Sequence, residues 1–258
     1  MVAHFHLALW QIPLLFVVGI VASFLNSLSG GGSTISLPIL ISLGIPPTMA
    51  NGTNRVAIWA GNLGSVATLR KAGYYQRGVI RQIALPVLMG AGIGAFFAVK
   101  MTDSIFRVVL ACALIFVVIA SNQKRKTAAP RPQGEALKAG WVTWLVFFGV
   151  GFYGGLVQVG VGFILIFALT KFTGLDLVRV NALKGIVALL FITVSTAVFI
   201  KAGLLSWPAA VAQGAGGLIG GWLGGKVQMK RGESIIRRAI QLDALIMAGR
   251  LLWDVLKD

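Results

Sequence analysis

Acidic residues are nearly missing from this 258-residue chain: Asp and Glu number 7 against 23 Lys and Arg, and charged residues make up only 12%. A water-facing globular surface carries about a quarter charged residues, so that class is excluded. Histidine (2) and cysteine (1) are also scarce. His4 and His6 are too terminal for a metal site, and a lone Cys112 in an apolar run leaves no disulfide framework and no paired-thiol chemistry. No cofactor is implied, and no nucleophile, metal cluster or acid–base pair can be assembled for an enzyme. The first apolar run has no Lys or Arg ahead of it and no clear small-residue cleavage site behind it, so no cleavable signal is expected.

What is abundant is apolar. The chain is 57% hydrophobic with a mean hydropathy of +0.87. The apolar runs are helix-length rather than the alternating segments of about ten residues that a barrel needs. The composition therefore predicts an all-α polytopic membrane protein. Ten helical segments are expected, near 7–29, 33–44, 49–69, 78–100, 104–121, 141–158, 162–173, 179–200, 208–229 and 234–253. The second and seventh are too short to cross a bilayer alone. A basic stretch over 122–140, with Lys124, Arg125, Lys126 and Arg131, separates an N-terminal repeat (1–121) from a C-terminal one (141–258). The net charge of +16 then decorates loops at a membrane rather than contacting nucleic acid. Trp10, Trp141, Trp144, Trp207 and Trp253 fall near segment ends, as an interfacial belt would.

The halves match without gaps at an offset of 130 positions. Gly30 and Gly32 fall on Gly160 and Gly162, Gly44 on Gly174, Asn51 on Asn181, and Ser65 on Ser195. Lys71-Ala72-Gly73 falls on Lys201-Ala202-Gly203, and Gly90 and Gly94 fall on Gly220 and Gly224. If each long-plus-short pair enters and leaves on one side, each half makes an odd number of crossings and the copies are inverted. Charge agrees: Arg70, Lys71, Arg77 and Arg81 mark one loop of the first half, whereas Lys230, Arg231, Arg237 and Arg238 mark the other loop of the second. That swap is what the positive-inside rule requires of inverted copies. It puts the central linker in the cytoplasm and both termini outside.

The chemistry-bearing candidates sit at matched places. Gly30-Gly31-Gly32-Ser33-Thr34 breaks the chain between a long and a short segment, and Gln158, Gly160 and Gly162 mark the corresponding break. Non-helical backbone at membrane depth survives where it is buried or lines a cavity, and paired breaks in repeated halves point to a transporter's midplane site. The short helix starting at Ser33 offers N–H groups to an anion. The competing reading is that these glycines only permit close helix packing. Just after each short helix come Asn51, Asn54 and Arg55, and then Asn181 and Lys184. Cations inside apolar helices cost about 2.5–3.5 kcal/mol on insertion scales, so they should face the interior. With so few carboxylates to pair with, they suit a small oxyanion, Arg55 bidentately and Lys184 as a point charge; snorkelling to an interface is the alternative. Asp243 is the carboxylate in the body of a membrane segment, a candidate for proton coupling or for a structural pair with Arg250 or Arg238.

The glycine break followed by LPIL-x-x-LGIPP-x-x-A-x-GTNR-x-A, RKAG and LP-x-x-x-G-x-x-x-G resembles the TauE/SafE sulfite-exporter family (TSUP). VGVGF, VNALKG and KAGLLSWP look like that family's second copy. The resemblance implies a multi-pass permease of the bacterial inner membrane for small sulfur-containing oxyanions, sulfite and organosulfonates among them. Its site residues would be those of the two breaks and the two Asn-containing motifs. Here the second break is GVG rather than a longer glycine run with a hydroxyl, which leaves fewer donors there. The expected partners are the anion and the lipid bilayer, with no nucleic acid; a homo-oligomer is allowed. An anion channel or a carboxylate carrier would share the same basic residues.

Overall fold

The computed structural model describes residues 7–71, 73, 74, 76–121 and 140–257, except for the side chains of 71, 114–121, 237, 241 and 243–257. The linker, the two histidines and the side chains of Asp243, Arg250 and Trp253 lie outside the described residues. Within them the fold is helical: α1 Gln11–Leu28, α2 Ser33–Ser42, α3 Pro47–Lys71, α4 Arg77–Lys100, α5 Asp103–Ser121, α6 Trp141–Leu156, α7 Val161–Thr173, α8 Leu177–Lys201 and α9 Trp207–Lys257. The ninth and tenth expected segments run on as α9, which is interrupted at Gly232 (φ 59°, ψ −146°), a conformation open to glycine. Both short helices are present. The ten residues of α2 span about 15 Å, half of a hydrocarbon core of about 30 Å.

The offset of 130 positions recurs in three dimensions. Moving α3 (Pro47–Lys71) by that offset gives the limits of α8 (Leu177–Lys201). The left-handed glycines pair the same way: Gly30 with Gly160, Gly44 with Gly174, Gly73 with Gly203.

The two halves are woven together rather than set side by side. α1 packs most extensively on α9, and α6 on α4. Gly216 and Gly220 of α9 face the carbonyls of Phe16 and Ile20, while Gly90 and Gly94 of α4 face those of Phe148 and Phe152, each too closely for a Cβ. This is small-residue packing, suited to helices that lipid does not drive together.

The exterior is apolar, and the interior, itself largely apolar, holds a set of buried polar groups. Exposed positions on α4 include Leu85, Met89, Ile93, Phe96 and Phe97, and on α9 Leu218, Ile219, Trp222 and Leu223. Arg55, Lys184, Asn51, Asn54, Asn62, Asn181, Gln213 and Gln228 are buried. Trp10, Trp141, Trp144 and Trp207 lie on the surface. Cys112 is exposed on α5.

Candidate functional site: two crossed helix breaks

Each long-plus-short pair turns through a buried break. In the first, α1 closes with Ser29 and Gly30 N–H groups on the Leu25 and Asn26 carbonyls (2.8 and 2.9 Å), and Gly30 then turns to φ +89°. In the second, Gln158 and Gly160 both sit at φ 68°. Left-handed backbone is ordinary for glycine and uncommon for glutamine. The two breaks touch: a Cβ on Gly30 would strike Gly162, and one on Gly162 would strike Gly30. The backbone crossing at the centre therefore requires both glycines.

A buried break strands the last carbonyls of the helix before it, and lipid supplies no donor. Each half meets this need in the other. From α3, Arg55 donates through Nη1 to Gly154 O (2.9 Å) and Ser195 Oγ (2.8 Å), and through Nη2 to Gly155 O (2.6 Å) and Leu156 O (3.4 Å). Asn51 adds Nδ2 to Leu156 O at 3.0 Å. From α8, Lys184 Nζ donates to Asn26 O (2.7 Å) and Ser27 O (3.3 Å), and Asn181 Nδ2 to Ser27 O (2.7 Å) and Leu28 O (3.2 Å). Each cation thus caps the negative end of a helix from the opposite repeat. The sequence pattern marked these residues as interior cations; it did not reveal that carbonyls hold them. Arg55 also lies 4.6 Å over the Phe199 ring.

Two acids do the complementary task. Asp103 accepts from Thr48 N (3.0 Å) and Thr48 Oγ1 (2.7 Å) at the start of α3, and Glu233 accepts from Leu177 N (3.0 Å) at the start of α8. They are also 130 positions apart, the signal that could have found them.

Beside the crossing lies a small cavity lined by Asn26, Ser33, Asn62, Gln158, Gly162 and Lys184 together with Ile58, Leu165 and Phe191. It has about 10 Å³ of room for the centre of a water, enough for one. Gln158, at 2% exposure, has neither Nε2 nor Oε1 hydrogen-bonded among the described residues. Asn62, at 1%, gives Nδ2 to Ile58 O at 2.9 Å and leaves Oδ1 without a partner. Ser33 Oγ accepts Asn54 Nδ2 at 2.9 Å, and Asn54 Oδ1 accepts the Ser36 hydroxyl.

The Thr34 hydroxyl serves the backbone, Oγ1 donating to Gly31 O (2.6 Å). Gly32 packs against Ala22 O without room for a Cβ.

So the structure brings Ser33, Gln158, Gly162 and Lys184 together at the cavity. Arg55, Asn51 and Asn181 stand behind it as supports of the breaks. Asn26 and Asn62 complete the lining; as amides inside apolar helices they carried the signal that flagged Asn54, yet they were passed over.

The crossed breaks recur in sequence as well as in space. Residues 15–251 match the family model described as "Sulfite exporter TauE/SafE". The chain belongs to the TauE/SafE family. Its relatives include a probable membrane transporter protein of Haemophilus influenzae, 29% identical over 94% of this chain and 95% of that one. A probable membrane transporter protein ORF9 of a Sinorhizobium species is 25% identical over 96% and 95%, and the Escherichia coli K12 probable membrane transporter protein YfcA 23% over 93% and 89%. No solved structure matches. As a TauE/SafE member the chain is a membrane transporter, which is also what its apolar exterior and buried polar groups suit.

Proposed function

We propose that this transporter carries a small anion, sulfite or an organosulfonate, across the bacterial inner membrane by alternating access of two inverted repeats. The observation that carries the reading is the cavity between the crossed breaks. Its lining pairs a lysine with amides and a hydroxyl and includes no carboxylate, a set chosen for negative charge. The unpartnered Gln158 amide supports a ligand there, because a buried polar group without a partner is costly and native proteins seldom keep one idle. With room for one water in this conformation, the cavity must widen to take an anion, as a carrier that alternates between conformations would do. Inversion is supported by the swap of basic residues between loops and by the reciprocal caps, in which each half's cation serves the other half's break. Substrate entry would open one side of the crossing at a time, with Gly30 and Gly162 as the point where the breaks slide or part.

Proteoliposomes test this. Radiolabelled sulfite should accumulate against its own gradient when a proton gradient is imposed, and Asp243→Asn should leave only downhill exchange. Flux that never accumulates would make the protein a channel. Uptake of small carboxylates with sulfite excluded would change the substrate class.

A further inference from the structure

We infer that the cavity accepts its anion as a singly charged species bearing a hydrogen-bond donor, such as hydrogensulfite or a hydroxyl-bearing sulfonate, and rejects the bare dianion. This rests on the anion reading above and specifies it. The lining offers acceptors as well as donors. Nδ2 of Asn62 is committed to the Ile58 carbonyl at 2.9 Å, so Oδ1 is the atom left over, an acceptor with no partner among the described residues. Gln158 brings a second unpartnered acceptor, Oε1, beside its donor Nε2. A bare oxyanion has acceptors only. It would satisfy Gln158 Nε2 but set its own oxygens against Asn62 Oδ1 and Gln158 Oε1, leaving buried acceptors unmade. An anion with one O–H pairs one of these acceptors while its oxygens take Gln158 Nε2, so one buried acceptor fewer is left unmade.

Charge points the same way. Lys184 is the single charged side chain in the lining, and it also sits at the negative end of α1, on Asn26 O and Ser27 O. Part of its charge is therefore spent on the helix terminus. Arg55, one turn before Ile58 on α3, is outside the lining, and its Nη atoms are on Gly154, Gly155 and Ser195. One partly offset cation balances one negative charge; a second would be buried without compensation.

Sulfite is a convenient probe, because its second ionisation lies near neutrality and pH alone turns the donor-bearing monoanion into the dianion. Calorimetric titrations of the full-length protein would use sulfite, methanesulfonate (a monoanion without a donor) and hydroxymethanesulfonate (a monoanion with an O–H). Among the residues facing the cavity from α1, α2, α3, α7, α8 and the second break, Lys184 is the titratable one; any change in it would move methanesulfonate equally. Relative to methanesulfonate, sulfite affinity should fall about tenfold from about one pH unit below its second ionisation to about one unit above. At fixed pH, hydroxymethanesulfonate should bind about tenfold tighter than methanesulfonate to the wild type and about equally to Asn62→Leu. A sulfite ratio that stays level or rises with pH overturns the inference, as does a preference for the hydroxyl that survives Asn62→Leu. The pH arm needs the wild type alone, so it stands even if that variant does not fold. Absence of binding by all three probes overturns the anion reading instead.

Discussion

The two breaks occupy equivalent places yet spend their polar groups differently. In the first, the hydroxyls of Ser29 and Thr34 are turned onto carbonyls of their own segment at 2.9 and 2.6 Å, and that of Ser36 onto Asn54 Oδ1. In the second, the break's own glycines and valines carry no hydroxyl, the local repair comes from α6, where the Tyr153 hydroxyl donates to Val159 O (2.6 Å), and Gln158 stands at φ 68° with its amide unpartnered among the described residues. The caps differ too: Arg55 closes the second break through the Gly154, Gly155 and Leu156 carbonyls but stays outside the cavity, whereas Lys184 closes the first through Asn26 O and Ser27 O and also lines it. Repetition built a symmetric scaffold, and the asymmetry laid over it separates the groups that hold the breaks open from those that face a ligand.

Mutations can break that division of labour. The largest effect should come from Arg55→Ala, which strands the Gly154 and Gly155 carbonyls away from water while Asn51 still holds Leu156 O; a loss of about 3 kcal/mol or more is expected, read as a lowered melting temperature in detergent. Arg55→Lys should recover only part of it, because an ammonium cannot span the fork that the guanidinium fills. Lys184→Met should cost less stability but lower sulfite affinity at least about tenfold by calorimetry. If both cation variants lose affinity and stability in the same proportion, the proposed split between them is wrong. Next, Gln158→Gly should weaken sulfite binding while raising stability by about 1 kcal/mol, since it relieves left-handed strain and removes two unpartnered atoms. Thr34→Ala should do the opposite, losing about 1 kcal/mol with sulfite affinity unchanged. The smallest and most symmetric pair is Asp103→Asn and Glu233→Gln, each costing about 1 kcal/mol as a helix cap; a tenfold larger effect of one on transport would show that the caps are unequal.

Much of this architecture is legible in the residues alone. Apolar run length gave the helices, and the in-register glycines gave the repeat, because spacing and backbone freedom are local properties. The ninth and tenth segments, expected to be separate, instead run on as α9 with Gly232 as a kink inside it. What stayed hidden was the partner of each polar group. A buried cation announces itself by the cost of its position, but whether a carbonyl or a ligand repays that cost depends on which helix end lies opposite, and that end is about a hundred residues or more away, 99 for Arg55 and 158 for Lys184. The same distance hid Asn62, an amide whose meaning comes from Gln158 and Lys184 across the crossing rather than from its neighbours on α3.

The central claim is that an anion sits beside the crossing, held by Gln158 and Lys184. Selenite, a heavier analogue of sulfite, makes this visible through anomalous scattering in crystals of the wild-type protein. The account predicts a peak within hydrogen-bonding distance of Gln158 Nε2 and next to Lys184, lost in Gln158→Leu. A peak at the exposed arginines Arg77 and Arg81, with the space beside Gly162 unchanged, would contradict it.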